Sequence, residues 1–219
     1  MRRSSTARSR TASGESLTSP AVLTADVIAF MRASLPSPPG RVLEVGAGDG
    51  ELAVALREAG YDVVAIDPAS EADGVRPIAL HELEDEPFDA AVAVVSLHHV
   101  EPLEGSLQRL AELVRPGGTL VVDEIDVERL DERAARWWLE RSGHDHEPAE
   151  LVSGMRDHLH SLAALREALG RWFALGEPVR GAYMYRWNLP PGLREPEEQL
   201  IAAGALPAIG ARLVGVRTS

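Results

Sequence analysis

The stretch RVLEVGAGDGELAVALREAGYDVVAID, residues Arg41 to Asp67, decides the fold. Val42, Leu43 and Val45 form a nearly continuous apolar run around Glu44, which is typical of a parallel strand buried on both faces. Glycines follow at alternate positions, where the chain must turn sharply and a ligand can approach the backbone; they are Gly46, Gly48 and Gly50. Apolar residues at helical spacing then predict a helix that ends at Gly60, and YDVVAI predicts a second strand that ends at Asp67.

This strand, glycine turn, helix and strand form a Rossmann-type unit, and we expect the rest of the chain to be built around it. A carboxylate about 20 residues after the glycine loop holds a ribose diol in such folds, and Asp67 occupies that place. A dinucleotide site also needs G-x-G-x-x-G, with a third glycine beneath the pyrophosphate. The third glycine is replaced here by Glu51, near the helix N-terminus, so the sequence disfavours NAD.

The string EVGAGDG at 44–50 resembles motif I of the class I S-adenosylmethionine (SAM) methyltransferases. Three later strings, FDAAV at 88–92, SLHHV at 96–100 and LVRPGGTL at 113–120, are similar to the small-molecule branch, which includes the quinone-biosynthesis C-methyltransferases. The resemblance covers 41–125. It implies an α/β, Rossmann-like, doubly wound fold with a mostly parallel seven-stranded sheet. We expect an antiparallel C-terminal hairpin formed by Gly181–Trp187 and Ile209–Val216.

The resemblance also implies SAM as the cofactor. Glu44 is expected to meet its ammonium group, Gly46–Gly50 its methionine portion and Asp67 its ribose hydroxyls. A third strand is predicted at Ile78–Leu80, and in relatives an acidic or small residue after it contacts the adenine amino group. The complete set of expected cofactor residues is Glu44, Gly46, Ala47, Gly48, Gly50, Asp67, Pro68, Glu82, Leu83 and Ser96.

Two adjacent histidines, His98 and His99, are the candidate catalytic bases, because the unperturbed pKa of histidine lies near neutral pH. We prefer His99, with Asp123 and Glu124 as alternates at the end of the fifth strand. The histidines alternatively hold the loop, and a carbanion or tertiary amine acceptor needs no protein base. DNA-base amino-methyltransferases carry N/D-P-P-Y at the place of Ser96, which disfavours such a substrate.

Composition excludes several other chemistries. The 219 residues include no cysteine, so disulfides, cysteine-ligated zinc and iron–sulfur clusters are excluded. All 22 basic residues are arginine, so no lysine is present for a pyridoxal phosphate Schiff base or a P-loop. The net charge of −12 disfavours nucleic acid as a partner. The run GHDHEP at Gly143–Pro148 is interpreted as a solvated loop, and no metal is expected.

The chain is expected to form one domain at residues 20–219 after a disordered basic tail at residues 1–19. Residues 126–180, which leave the family pattern and contain Trp137 and Trp138, are the predicted substrate lid. Helices are predicted at Pro20–Leu35, Leu130–Leu139, Glu150–Phe173 and about Pro196–Ala203. No apolar run approaches the roughly 18 residues of a membrane span. The opening also lacks the apolar core of a secretory signal, so a cytoplasmic location is expected.

These observations predict a SAM-dependent methyltransferase that modifies oxygen, nitrogen or carbon of a small-molecule acceptor. Two alternatives remain at this point. One is a SAM-binding regulator or partner subunit without catalysis, and the other is a nucleotide-dependent reductase on the same fold. The sequence leaves the oligomeric state open.

Overall fold

The computed structural model describes residues 22–219, and the expected tail at residues 1–19 lies outside this range. The α-helices of the described range are α1 Ala25–Ser34, α2 Glu51–Glu58, α3 Leu103–Leu113, α4 Glu132–Ser142, α5 Pro148–His158, α6 Leu162–Leu169 and α7 Arg194–Ala202. The strands are β1 Arg41–Val45, β2 Asp62–Ile66, β3 Val75–Arg76, β4 Phe88–Val94, β5 Val114–Ile125, β6 Phe173–Leu175, β7 Val179–Gly181 and β8 Gly210–Arg217. Short 3-10 helices occupy Leu80–Glu82, Leu97–His99 and Met184–Arg186.

One sheet joins these strands in the order β3-β2-β1-β4-β5-β8-β6, and β7 also pairs with β8. Strands β1 to β5 are mutually parallel, whereas β8 runs antiparallel to β5, β6 and β7. The mostly parallel sheet and its antiparallel C-terminal strands confirm the predicted fold class. The strand order reverses direction between β1 and β4, and in open α/β sheets ligands bind beyond the carboxyl ends of the strands at such a point.

The sheet separates two apolar layers, because successive residues of a strand point to opposite faces. Leu43 and Val45 of β1 pack in the layer that also contains apolar residues of α3 and α6. Val42 packs in the opposite layer with residues of α1 and α2. A third cluster joins α4, α5 and the segment around Trp187 beyond the end of the sheet. Within residues 22–219, no helix is both long and apolar enough to cross a lipid bilayer.

Several predicted boundaries are wrong. The first helix begins at Ala25 rather than Pro20, with Thr24 as its extended N-cap residue. The third strand lies at Val75–Arg76, not Ile78–Leu80. The long helix predicted from Glu150 to Phe173 is divided between α5 and α6, because the Ser161 side chain caps a new helix by accepting a hydrogen bond from the Ala164 N–H.

The predicted C-terminal hairpin is also corrected. Only Gly181 of the segment Gly181–Trp187 belongs to a strand, and within residues 22–219 the sheet has eight strands rather than seven. The buried Glu197 carboxylate accepts hydrogen bonds from three consecutive backbone N–H groups, those of Tyr183, Met184 and Tyr185. These N–H groups are therefore turned toward α7 and cannot join a sheet ladder, and the chain forms a 3-10 helix instead.

Candidate active site

A cavity of about 1360 Å³ opens beyond the carboxyl ends of β1, β2 and β4, where the strand order reverses. Ligand pockets usually measure about 300–1,000 Å³, so this cavity has room for two small molecules. The expected cofactor and catalytic residues that line it are Glu44, Gly46, Ala47, Gly48, Asp67, Pro68, Ser96, His98 and His99.

The glycine loop forms one wall of the cavity, and its first glycine is packed closely against Ser96. A Cβ on Gly46 would lie 2.3 Å from the Ser96 Cβ, and its φ is +69°, which disfavours any side chain. The Ser96 hydroxyl donates to the Val45 carbonyl at 2.7 Å and thereby holds the next loop against the glycine loop. Gly48 faces open space. Gly50 does not line the cavity and is the N-cap residue of α2.

Glu44 places a buried carboxylate at the base of the cavity. The residue is 4% exposed, and its Oε2 atom has no hydrogen-bond partner among the described residues. Burial raises the pKa of Glu44 from 4.5 to about 8, although the guanidinium of Arg57 partly opposes this effect. A buried carboxylate without a partner is costly, so the position favours a bound cation or hydrogen-bond donor.

Asp67 follows directly after β2 and is oriented by backbone hydrogen bonds. Its Oδ2 accepts from the Gly48 N–H at 3.0 Å, and its Oδ1 accepts from the Ala69 N–H at 2.8 Å. Each carboxylate oxygen has further acceptor capacity. The geometry therefore fixes both oxygens at the cavity wall while leaving them able to accept hydrogen bonds from a diol.

The predicted adenine contacts are displaced. Leu83 is 2% exposed within the apolar core, and Glu82 is exposed; neither lines the cavity. Ile78, Ala79 and Leu80 form this wall instead. The shift follows from the early end of the third strand at Arg76, which brings the connection to the cavity before Glu82 is reached.

The histidine loop is the 3-10 helix Leu97–His99, and its N-cap residue Ser96 lies next to the glycine loop. His98 is 3% exposed, and its Nδ1 lies 2.5 Å from Oε2 of the fully buried Glu124. His99 also lines the cavity, but the residue is exposed. The pKa of His99 is lowered, first by burial of part of its ring and second by the nearby His98. The two histidines therefore have different environments, with only His98 held against a carboxylate.

A family model described as "Methyltransferase domain" matches residues 21–171, which is more than half of the chain and includes the glycine loop and the histidine loop. The chain belongs to this methyltransferase domain family. Membership of this family confirms the resemblance to class I methyltransferases that was inferred from EVGAGDG and the three later strings.

Relatives of this chain match over part of their length. An uncharacterized methyltransferase of Mycobacterium tuberculosis is 37% identical over 98 residues, which are 39% of this chain and 40% of the relative. A ubiquinone biosynthesis O-methyltransferase of Xanthomonas campestris is 32% identical over 116 residues, 44% of this chain and 48% of the relative. The chain thus spans less than half the length of either relative.

A solved structure has the same fold. It is an S-adenosylmethionine dependent methyltransferase from Mesorhizobium loti, with a TM-score of 0.59 and 17% identity. The match covers 89% of this chain and 98% of that chain. At this identity the likeness concerns the fold.

The cavity also has an apolar wall that the sequence analysis predicted only in part. Its residues come from distant parts of the chain: Val22, Leu23, Val95, Ile125, Met155, Leu159, Tyr183 and Trp187. Met155 and Leu159 lie within the predicted lid at residues 126–180. In the segment of Tyr183, the Tyr185 hydroxyl donates to Asp26 and Arg186 pairs with Asp123, so neither of these two side chains lines the cavity. The adjacent Trp137 and Trp138 are both buried and do not line the cavity. Trp138 instead stacks on Trp187 and donates to its carbonyl at 2.7 Å.

Val95 is a further residue that the sequence did not indicate. Its φ is +52°, which is unusual for a β-branched residue, and its N–H donates to the Asp123 carbonyl at 2.8 Å. Strained backbone of this kind is concentrated at functional sites. The conformation turns the chain out of β4 into the histidine loop. His144, Asp145 and His146 belong to no metal-binding group of three or more ligands within residues 22–219.

Proposed function

We propose that this methyltransferase transfers a methyl group from SAM to a small molecule that carries no negative charge. The observation that carries the proposal is Glu44, which lines a cavity bounded by the glycine loop and whose buried Oε2 atom has no hydrogen-bond partner among the described residues. When bound, SAM supplies a methyl group on a positively charged sulfur. The Mesorhizobium loti neighbour, which is SAM dependent by its description, supports the choice of cofactor.

The residues of the cavity fit SAM in charge and shape. Glu44 would hold the ammonium group of the methionine portion, because an opposite charge relieves the cost of ionising a buried carboxylate. The backbone of Gly46 to Gly48 would lie along that portion, since glycine allows close approach. Asp67 would accept hydrogen bonds from the ribose hydroxyls through its remaining lone pairs. Pro68, Ala79 and neighbouring residues would surround the adenine.

Charge around the cavity supports an acceptor without carboxylate or phosphate groups. Six of its lining residues are carboxylic acids: Glu44, Asp49, Glu51, Asp67, Glu71 and Glu101. None of the lining residues in the described part of the chain is an arginine, although arginine provides every basic side chain except histidine. An anion in this cavity would be repelled without compensation. Nucleic acid and nucleotide-like acceptors are therefore disfavoured, and Glu51 similarly disfavours the pyrophosphate of NAD.

The acceptor would occupy the apolar wall between α5 and Trp187, facing the histidine loop. We include in the proposal that residues 20–219 form one domain and that residues 126–180 contribute the substrate lid. In support, Met155, His158 and Leu159 at the end of α5 line the cavity. Holding the acceptor in line with the methyl group would provide most of the rate acceleration, because orientation alone is worth roughly 7–11 kcal/mol in favourable cases.

Calorimetry and product analysis test the proposal. The protein is titrated with SAM and, separately, with NAD and NADH; we expect binding of SAM only. Formation of S-adenosylhomocysteine is then followed with a panel of phenols, amines and carboxylic acids, and we expect turnover with uncharged or cationic members. Binding of NAD in place of SAM would support the reductase alternative, whereas SAM binding without turnover on any acceptor would support a regulator.

A further inference from the structure

A fully buried carboxylate stands directly behind the histidine loop. Glu124 lies next to the last residue of β5 and is 0% exposed. Its Oε1 accepts hydrogen bonds from the Ser96 N–H at 2.9 Å and the Leu97 N–H at 2.7 Å. Its Oε2 lies 2.5 Å from Nδ1 of His98. Burial of an isolated carboxylate is very unfavourable, and these partners, together with the Ile125 N–H that donates to Oε2 at 3.3 Å, compensate it.

The arrangement fixes which nitrogen of His98 carries a proton. Burial opposes ionisation of Glu124, but His98 and the two backbone N–H groups outweigh it and lower the pKa of the carboxyl group. An ionised carboxylate only accepts hydrogen bonds, so Nδ1 of His98 must donate. In the neutral ring Nε2 then has a free lone pair.

The free nitrogen is on the cavity side. His98 lines the cavity, whereas Glu124 is not among the lining residues. Since Nδ1 is directed at Glu124, Nε2 is directed away from it, and the contact with Glu124 is the side-chain hydrogen bond that His98 forms within residues 22–219. The unpaired position of Nε2 is the expected geometry for a base that takes a proton from a bound molecule.

His99 lacks this support. Its side chain has no hydrogen bond or salt bridge to a carboxylate among residues 22–219, and the neighbouring His98 ring lies 4.2 Å away between centroids. The pKa of His99 is lowered by burial and by that ring. A protonated His99 would therefore be poorly stabilised, so the geometry favours His98 over His99, the residue that the sequence analysis preferred.

We propose that His98 is the catalytic base, that Glu124 is its positioning residue, and that the methyl acceptor is a weakly acidic hydroxyl group on an uncharged aromatic molecule. This inference rests on the proposed function. The hydroxyl proton moves to Nε2 of His98 while the oxygen lone pair forms a bond to the methyl carbon. The bond between that carbon and sulfur breaks, and its electron pair stays on sulfur. The charge gained by His98 is stabilised by Glu124.

The presence of an oriented base selects the hydroxyl class. Tertiary amines and carbanions have no proton to remove, and a neutral primary or secondary amine attacks through its free lone pair and loses its proton only after the new bond has formed. Carboxylates and phosphates are already ionised and would meet the acidic cavity. A phenolic hydroxyl, with an ordinary pKa of about 10, stays protonated at neutral pH and gains most from a nearby imidazole. The apolar wall formed by Ile125, Met155, Tyr183 and Trp187 suits an aromatic ring.

Nuclear magnetic resonance tests the first step on the wild-type protein, without an acceptor. Two-bond 15N–1H correlations of the histidine rings distinguish the two neutral tautomers, and His98→Gln identifies the His98 signals. We expect neutral His98 to carry its proton on Nδ1. In Glu124→Gln the amide oxygen can still accept from the loop N–H groups, which turns its NH₂ group toward His98, so we expect the proton on Nε2. Wild-type His98 with its proton on Nε2 would refute the proposal.

Kinetics test the second step with phenol, catechol and 2-naphthol, beside aniline, N,N-dimethylaniline and benzoate. We expect turnover with the hydroxyl compounds, a loss of at least about 100-fold in kcat for His98→Gln and Glu124→Gln at pH 7, and KM within a few-fold of wild type. Activity of Glu124→Gln should recover as pH approaches the phenol pKa. Glu112→Gln on the exposed face of α3 is the matched control.

The outcomes separate this inference from the proposed function. SAM binding, measured by calorimetry in each variant, should be unchanged. Unchanged turnover in His98→Gln, or methylation of no hydroxyl compound in the panel, would overturn the inference while SAM binding keeps the proposed function intact. Failure of the wild-type protein to bind SAM would overturn the proposed function itself.

Discussion

Substituting Glu44 by glutamine should stabilise the protein without ligand and weaken SAM binding. The pKa of Glu44 is raised by burial from 4.5 to about 8. The folded state therefore retains a proton between these pH values that the unfolded state releases, and stability falls as pH rises through this window. Each tenfold change in proton affinity is worth about 1.4 kcal/mol, so ionising Glu44 costs ~5 kcal/mol above pH 8.

A glutamine at this position has nearly the same shape and carries no charge. We expect Glu44→Gln to match the wild-type free energy of unfolding near pH 4 and to exceed it progressively up to pH 8. At pH 7 the difference should be about 3 kcal/mol. Urea unfolding at pH 5, 7 and 8 measures it. Glu58→Gln, an exposed substitution on α2, should change stability by less than about 0.5 kcal/mol at each pH.

Binding should respond in the opposite direction, because only the ionised carboxylate attracts an ammonium group. At pH 7 the wild-type protein should release about one proton on binding SAM, detected by calorimetry in buffers of different ionisation enthalpy. Glu44→Gln should release none and bind at least about 30-fold more weakly, corresponding to roughly 2 kcal/mol for a lost charged partner. Equal pH dependence of unfolding in the two proteins, or equal SAM affinity, would refute the reasoning.

Three further substitutions test the site and its support. Asp67→Asn should weaken SAM binding by about 10- to 100-fold in calorimetry, because a carboxylate hydrogen bond is lost. Gly46→Ala should cost about 2–4 kcal/mol in urea unfolding, since its Cβ would lie 2.3 Å from a serine Cβ; Gly154→Ala, in open space on α5, should be neutral or stabilising. Glu197→Gln should lose about 2 kcal/mol in the same assay, whereas the exposed Glu198→Gln should lose less than about 1 kcal/mol.

The part of the fold that contains the glycine loop and Asp67 was predictable, because the sequence patterns that specify it are local. Apolar runs locate β1 and β2 within one residue of the structure. The positions of the glycine loop, Glu44 and Asp67 were also predictable, because the carboxyl ends of neighbouring parallel strands meet at one edge of the sheet. Glu82 and Leu83 were misplaced because β3 has only two residues, too few for a recognisable pattern.

The apolar wall around Trp187 was not predictable from local patterns, because its residues are brought to the cavity by contacts between distant parts of the chain. Trp187 lies there since the buried Glu197 binds the backbone of Tyr183 to Tyr185 and prevents a strand. The nearby Trp138 then stacks on Trp187 at 4.3 Å between ring centroids. A residue-by-residue reading has no means of pairing these partners, which lie between about 10 and 50 positions apart.

A chain of alternating charges completes this wall and also determines the role of Asp123. Asp26 in α1 binds Arg212 in β8, Arg212 binds Asp123 in β5, and Asp123 binds Arg186 in the segment before Trp187. Both oxygens of Asp123 are therefore engaged by guanidinium groups, and it does not line the cavity. Because removing one member of a buried ion pair leaves an uncompensated charge, typically at 3–5 kcal/mol, Asp123 is suited to joining α1 to the apolar wall and not to accepting a proton. The two neighbouring carboxylates of β5 therefore differ in their partners, because Asp123 binds arginines and Glu124 is directed at His98.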